Sequence, residues 1–158
     1  YNCENHLINC LQSVVNQKYK NLEVQLVDDL GNDNSMQVAE GFIKEHPDFN
    51  FKILKNEKNS GLSVVRNVGI ENAQGKYIFF LDSDDEITPD CISKMVEVAE
   101  REQVEMVCGN VKTIRLETKE EIKAFRLQNT KEKTTGNIEI FESFVQGKFP
   151  VPSWNKLI

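Results

Sequence analysis

The order of apolar runs along the chain predicts a layered α/β domain, with a mostly parallel central sheet and helices on both faces. Three observations carry that prediction. Stretches with strand-like alternation or short continuous apolar runs take turns with stretches whose apolar residues recur every three or four positions. The run Tyr77-Ile78-Phe79-Phe80-Leu81 is almost wholly apolar and follows Gly75, the pattern of a strand buried on both faces. Two such strands end in acidic pairs, which suits the carboxyl edge of a parallel sheet, where open α/β folds hold ligands.

Taken in order, residues 4–17 form a helix with Leu7, Leu11, Val14 and Val15 on one side and Asn2 as its cap. Residues 22–27 alternate as a strand that runs into Asp28-Asp29. Gly31-Asn32-Asp33-Asn34-Ser35 is a turn that caps a helix reaching Glu45, and Pro47 stops it. Residues 51–54 make a short strand. Asn59-Ser60-Gly61 opens a helix to Ala73, with Gly75 as its left-handed cap. The acidic strand 77–81 follows, and Thr88-Pro89 starts a helix reaching Glu102. Residues 104–111 are the next strand. Residues 115–133, rich in Glu, Lys, Thr and Gln, are expected at the surface, and a helix is expected at 137–146. The chain opens directly before a helix, so Tyr1-Asn2 has the look of the tail of a first, central strand that lies outside the sequence.

Composition narrows the function classes. At 158 residues the chain is one domain or most of one, with 39% hydrophobic and 28% charged residues. A net charge of −6 speaks against a nucleic-acid binder that works by bulk electrostatics. No apolar stretch approaches the roughly 20 residues of a membrane span. Cys3, Cys10, Cys91 and Cys108 form no Cys-x-x-Cys pair, which argues for free thiols rather than a zinc site. Starting at Tyr1 without a methionine and stopping at Ile158 in an apolar run, the sequence is expected to be a portion of a longer protein.

The chemistry concentrates in Asp82-Ser83-Asp84-Asp85. Three carboxylates within four positions repel one another unless a cation sits among them, and hard oxygen donors suit Mg²⁺ or Mn²⁺. Taken alone, such a cluster is as readily a solvated turn. Asp28-Asp29 reaches the same sheet edge. Between the two pairs, Arg66 is suited to a phosphate or carboxylate, or to a salt bridge across elements.

These segments resemble those of a family 2 glycosyltransferase. They are Tyr1-Asn2-Cys3-Glu4-Asn5, Ser13-Val14-Val15-Asn16-Gln17-Lys18-Tyr19, Val27-Asp28-Asp29, Asn32-Asp33-Asn34-Ser35, Gly61 to Gly69 with Arg66-Asn67, and Gly75 to Asp85. They stand in the family's order over about the first 110 residues, and Trp154-Asn155-Lys156-Leu157 resembles a further short segment. The resemblance implies a GT-A (Rossmann-like) fold and transfer of a sugar, with inversion, from a nucleoside-diphosphate sugar to an acceptor hydroxyl. It implies residues 1–111 as the donor part and 112–158 as the start of an acceptor-side part.

By the same resemblance, Tyr1 lies against the base, Asp29 accepts a hydrogen bond from it with Asp28 beside it, and Arg66 orients the nucleotide. Asp82 and Asp84 match the Asp-x-Asp motif, with Ser83 between them. Asp84 or Asp85, with Asp82, holds a divalent cation, Mn²⁺ or Mg²⁺. The implied partners are a UDP-sugar foremost and a saccharide or lipid-linked acceptor, with no nucleic acid. The implied setting is the cytoplasm at the inner face of the membrane, with any membrane contact made through regions outside the chain.

The implied general base lies beyond Ile158, since Glu139 and Glu142 fall on a solvated helical face. One departure stands out: the family's Gly-Ser-x-Asp is replaced by Leu30-Gly31-Asn32-Asp33, with the glycine one place late. Two other readings use the same residues: a non-catalytic nucleotide- or sugar-binding domain of this fold, and a Mg²⁺-binding receiver domain. The acidic pair of a receiver ends its first strand, unlike Asp28-Asp29 here.

Overall fold

The computed structural model describes residues 3–115, 118, 120–125 and 156–158. Helix α1 (Glu4–Val15) leads to strand β1 (Val24–Asp28), then helix α2 (Ser35–Glu45), strand β2 (Phe51–Lys55) and helix α3 (Leu62–Asn72). Helix α4 (Cys91–Glu102) is followed by strands β3 (Val107–Cys108), β4 (Val111–Ile114), β5 (Glu121–Phe125) and β6 (Lys156–Leu157). β1 pairs parallel with β2, in register from Val24↔Phe51 to Asp28↔Lys55. β3 pairs antiparallel with β6, and β4 antiparallel with β5. The fold is the predicted α/β class.

Two apolar clusters hold these elements. Leu7 and Leu11 of α1 meet Ala39 and Phe42 of α2, with Leu26 and Phe51 of the parallel pair packed against them. The i, i+4 spacing of Leu7 and Leu11 is what turns both side chains inward, and burying each contributes about 1.5–3 kcal/mol. The second cluster joins Met95 and Ala99 of α4 to Leu157 of β6, with Tyr77, Phe79 and Val107 against them.

Several expectations are corrected. Residues 77–81 form no ladder of their own. They meet β6 through a single Phe79↔Leu157 bridge and the reciprocal Ile78–Ile158 backbone bonds of 2.7 and 2.9 Å. The strand expected over 104–111 breaks at Gly109-Asn110, and Val111 starts a separate hairpin strand. β5 of that hairpin falls within the stretch expected at the surface, where Glu121 and Ile122 are exposed, and adds a strand that was not expected there.

Gly75 is not a left-handed cap, since Gly61 is the glycine with positive φ among the described residues. A Cβ on Gly75 would lie 3.3 Å from the Tyr77 carbonyl oxygen, and Glu23 accepts the Gln74 and Gly75 amides at 2.5 and 2.9 Å. Thr88 does not cap α4. Asp90 stands at that position, and the Thr88 hydroxyl donates to its carboxylate at 3.0 Å. The start of α1 is held from a distant loop: Ser35 Oγ accepts the Cys3 amide at 3.0 Å and Asp33 accepts the Glu4 amide at 3.1 Å. Asn2, Tyr1, Glu139, Glu142 and the helix expected at 137–146 lie outside the described residues.

Candidate active site at the carboxyl edge

β1 delivers Asp28 and Asp29 to one end of the parallel pair, and each carboxylate has a defined task there. Asp28 is buried; one oxygen accepts the Leu30 amide at 2.9 Å and the other lies 3.8 Å from Lys55 Nζ. Asp29 accepts from Asn56 Nδ2 at 2.6 Å, from the Ser60 amide at 2.9 Å and from the Gly61 amide at 2.9 Å. The Asn56 amide above all, then the Ser60 amide, holds the Asp29 carboxyl below the ordinary carboxylate range. Its two oxygens keep lone pairs beyond these three bonds, so a further donor can still be accepted.

Asn56 was not singled out in the sequence. The signal was available, because β2 is parallel to β1 and places Lys55-Asn56 at the same edge.

Leu30 adopts φ 56°, the left-handed conformation that glycine takes without penalty. Beyond it, the Ser35 hydroxyl and amide both reach Asp33, the hydroxyl at 2.6–2.7 Å. The Ser35 hydroxyl is the main reason the Asp33 carboxyl is held low. Glu4 accepts the Asn34 amide at 2.7 Å, so the Asn32-Asp33-Asn34-Ser35 segment locks the starts of α1 and α2 together.

Across the cavity mouth stands the second acidic group. Arg66 of α3 donates to Asp82 Oδ1 at 3.3 Å, and its guanidinium lies 5.7 Å from the Phe80 ring centroid, within cation–π range. The Asp82 carbonyl accepts the Asp85 amide at 3.0 Å, closing a tight turn, and also receives the buried Cys10 thiol at 3.6 Å. Burial, then the negative charge of Asp85, pushes that thiol up to about 12, so Cys10 stays a neutral donor.

Ser83 and Asp84 line the cavity, and Asp84 and Asp85 are exposed residues. Partial desolvation of the Asp85 carboxyl, then repulsion from Asp84 and Asp82, raises it above its ordinary value. Among the described residues no hydrogen bond or ion pair reaches the carboxylates of Asp84 or Asp85. Nor do three or more His, Cys, Asp or Glu side chains among them gather into a closed metal cage.

Gln17 is a positioning residue that the sequence did not reveal beyond its place in a motif. Fully buried, it donates to the Ser13 and Thr88 carbonyls at 3.0 and 2.8 Å and accepts the Ile92 amide at 3.1 Å. It thereby ties the end of α1 to the segment that follows the acidic turn.

Asp28, Asp29, Arg66, Asp82, Ser83 and Asp84 all line one cavity of about 840 Å³. The carboxyl end of β1, the acidic turn after residues 77–81 and one arginine around a shared cavity form the candidate ligand site of this α/β domain. The glycosyl transferase family 2 model matches residues 1–150, and the chain belongs to that family.

Among its relatives is the putative glycosyltransferase EpsH of Bacillus subtilis, 41% identical over 109 residues, a match covering 69% of this chain and 31% of EpsH. The putative teichuronic acid biosynthesis glycosyltransferase TuaG of the same organism is 34% identical over 97 residues, covering 61% of this chain and 38% of TuaG. The crystal structure of Staphylococcus aureus TarS residues 1–349 with UDP-GlcNAc superposes with a TM-score of 0.62 at 29% identity, covering 67% of this chain and 30% of that one. The mannosyltransferase PcManGT of Pyrobaculum calidifontis, in complex with GDP-Man and Mn²⁺, shares the fold. Its TM-score is 0.66 at 22% identity, with 72% of this chain and 33% of that chain covered. The matched stretches thus span about a third of each of these proteins.

Proposed function

We propose that this chain is the donor-binding part of a glycosyltransferase that moves a sugar from a nucleoside-diphosphate sugar to an acceptor hydroxyl with inversion. The observation that carries the reading is the lining of one cavity by Asp28, Asp29, Arg66, Asp82, Ser83 and Asp84, with Arg66 donating to Asp82. TarS, similar in sequence and fold, has been crystallised with UDP and with UDP-GlcNAc, which supports a UDP-sugar as the donor.

In this reading Asp29, held ionised by Asn56, Ser60 and Gly61, receives the base, with Asp28 fixing the turn beside it and Tyr1 against the ring. Arg66 meets the diphosphate, exchanging part of its bond to Asp82 for one to phosphate. Asp84 and Asp85, with Asp82, hold Mn²⁺ or Mg²⁺. The mutual repulsion of these carboxylates and their hard oxygen donors fit such an ion, and a cation on a nucleotide needs only one or two protein carboxylates. When bound, the ion supplies charge neutralisation to the departing diphosphate.

The acceptor oxygen bonds to the anomeric carbon as the bond from that carbon to the diphosphate breaks, and the hydroxyl proton passes to an Asp or Glu base. That base belongs outside the described residues, as does the acceptor side, for which 112–158 is the start. The acceptor in this reading is a surface polysaccharide or a lipid-linked saccharide, and the work is done at the cytoplasmic face of a membrane; that TuaG is named for teichuronic acid biosynthesis supports the polysaccharide part. No helix among the described residues is long and apolar enough to cross one.

The non-catalytic alternative drew its support from the altered turn. What sets the two readings apart is turnover: the catalytic reading expects sugar transfer by the whole protein, and the alternative expects donor binding without it.

The test is calorimetric titration with UDP and with GDP, each with and without Mn²⁺, in the native chain and in Asp29→Ala. One nucleotide is expected to bind, and the variant is expected to lose about tenfold in affinity for the uridine or guanosine moiety alone. Equal affinity of both chains for nucleoside would remove Asp29 from the base site.

A further inference from the structure

Leu7 and Leu11 turn one face of α1 toward α2, and a second, partly polar stripe of the same helix is buried as well. It consists of Cys10 and Ser13, with Gln17 in the turn that ends the helix. Burying polar side chains costs stability unless each is hydrogen-bonded. All three find partners in one segment, residues 82–92. The Cys10 thiol donates to the Asp82 carbonyl at 3.6 Å, and the Ser13 hydroxyl accepts the Ile87 amide at 3.2 Å. Gln17 meets the Thr88 carbonyl at 2.8 Å and the Ile92 amide at 3.1 Å. That segment has no helix or strand of its own before α4 starts at Cys91, so its backbone groups take partners from side chains.

The first two of these bonds bracket the acidic turn. Cys10 and Ser13 stand three residues apart, about 4.5 Å along the helix axis. They hold Asp82 and Ile87, the two ends of the stretch that carries Ser83, Asp84, Asp85 and Glu86. The Asp85 amide closes the turn on the same Asp82 carbonyl at 3.0 Å. The Ser13 hydroxyl spends its proton on the Cys10 carbonyl at 2.7 Å, which leaves a lone pair for Ile87. Repulsion among neighbouring carboxylates spreads a loose turn, and a turn held at both ends resists it.

We infer that Ser13 is a positioning residue: with Cys10 it clamps both ends of the acidic turn to one helix and so sets how tightly the turn takes a divalent cation. Ser13 does not line the cavity, so it acts only through the backbone that it holds. The cation rests on the function proposed above; the clamp does not. The rim at Asp29 has its own supports in Asn56, Ser60 and Gly61, so the clamp leaves the base side untouched.

The test reads the native chain and Ser13→Ala in two ways. Without ligand, backbone NMR order parameters at Ser83, Asp84 and Asp85 are expected to fall from about 0.85 to below about 0.6 in the variant, with those of α2 unchanged. With ligand, the gain in UDP affinity that Mn²⁺ brings is expected to shrink by about tenfold, while affinity for uridine alone stays the same. Unchanged order parameters at the three residues overturn the inference. So does a fall spread equally over α2, or an equal loss of uridine affinity, since Ser13 then serves the fold as a whole. A full Mn²⁺ gain in a variant whose turn has loosened overturns the link to the cation. Should Mn²⁺ bring no gain in the native chain, the donor reading fails at its metal, and the order parameters alone decide the clamp.

Discussion

The two acidic ends of this domain differ in how their carboxylates are engaged. At the end of β1, Asp28 and Asp29 accept four hydrogen bonds from the chain itself, from Leu30, Asn56, Ser60 and Gly61. At the end of residues 77–81, Asp82 has Arg66, and the carboxylates of Asp84 and Asp85 have no hydrogen-bond or ion-pair partner among the described residues. Asp29 is lowered toward the ionised form by its donors, and Asp85 is raised by partial desolvation and by Asp84 and Asp82. One acidic end therefore builds the rim of the cavity, while at the other Asp84 and Asp85 carry charge that no group among the described residues pairs with. Carboxylates already satisfied by amides make a shaped acceptor for a base, and unneutralised ones make a place for a cation.

That contrast can be broken at its supports. The backbone of the second turn is fastened on both sides, by Cys10 at Asp82 and by Gln17 at Thr88. Gln17→Leu keeps the volume but leaves the Ile92 amide and the Ser13 and Thr88 carbonyls without a buried partner. It is expected to cost about 2–4 kcal/mol, measured by urea denaturation. A loss under about 0.5 kcal/mol would mean that the turn is fastened elsewhere.

A smaller change of opposite sign is expected at the first end. Leu30→Gly relieves a left-handed leucine and should stabilise the fold by about 1 kcal/mol, with the Asp28–Leu30 bond preserved. Destabilisation would show that the leucine side chain packs usefully enough to outweigh its backbone.

The smallest effect is a pH dependence at Asp85. Its carboxyl is raised in the folded chain, so its contribution favours folding below the ordinary value of 3.8 and is lost as pH rises through the folded value. Asp85→Asn should therefore raise the melting temperature near neutral pH, with the gain vanishing near about pH 3. Asp29 and Asp33 carry the opposite sign: their stabilisation is present above the ordinary value and is lost as pH falls through their lowered ones. A gain in Asp85→Asn that persisted in acid would contradict like-charge repulsion as its source.

Local pattern carried much of this architecture. The apolar spacing of Leu7 and Leu11, the stop at Pro47 and a strand ending in Asp28-Asp29 were all visible in the sequence. Residues 77–81 were legible as a buried apolar run but not in their pairing, which depends on Ile78 and Phe79 finding Leu157 and Ile158 far along the chain. The 111–125 hairpin was hidden because its charged and Thr residues mask the alternation, and Ile114 and Ile122 stay largely exposed. At the site, the residue types could be inferred, and the two acidic ends do line one cavity, though not through one parallel sheet. The partners of Asp29 could not be inferred, since they stand 27 to 32 positions away and only the β1–β2 register brings them near.

The division of labour between the two acidic ends is tested most directly by measuring UDP affinity with and without Mn²⁺ in the native chain and in Asp84→Ala. The account predicts tight binding only with Mn²⁺ in the native chain, and in the variant a weak affinity that Mn²⁺ no longer changes, with the melting temperature intact. Mn²⁺-enhanced binding that survives in Asp84→Ala would contradict it.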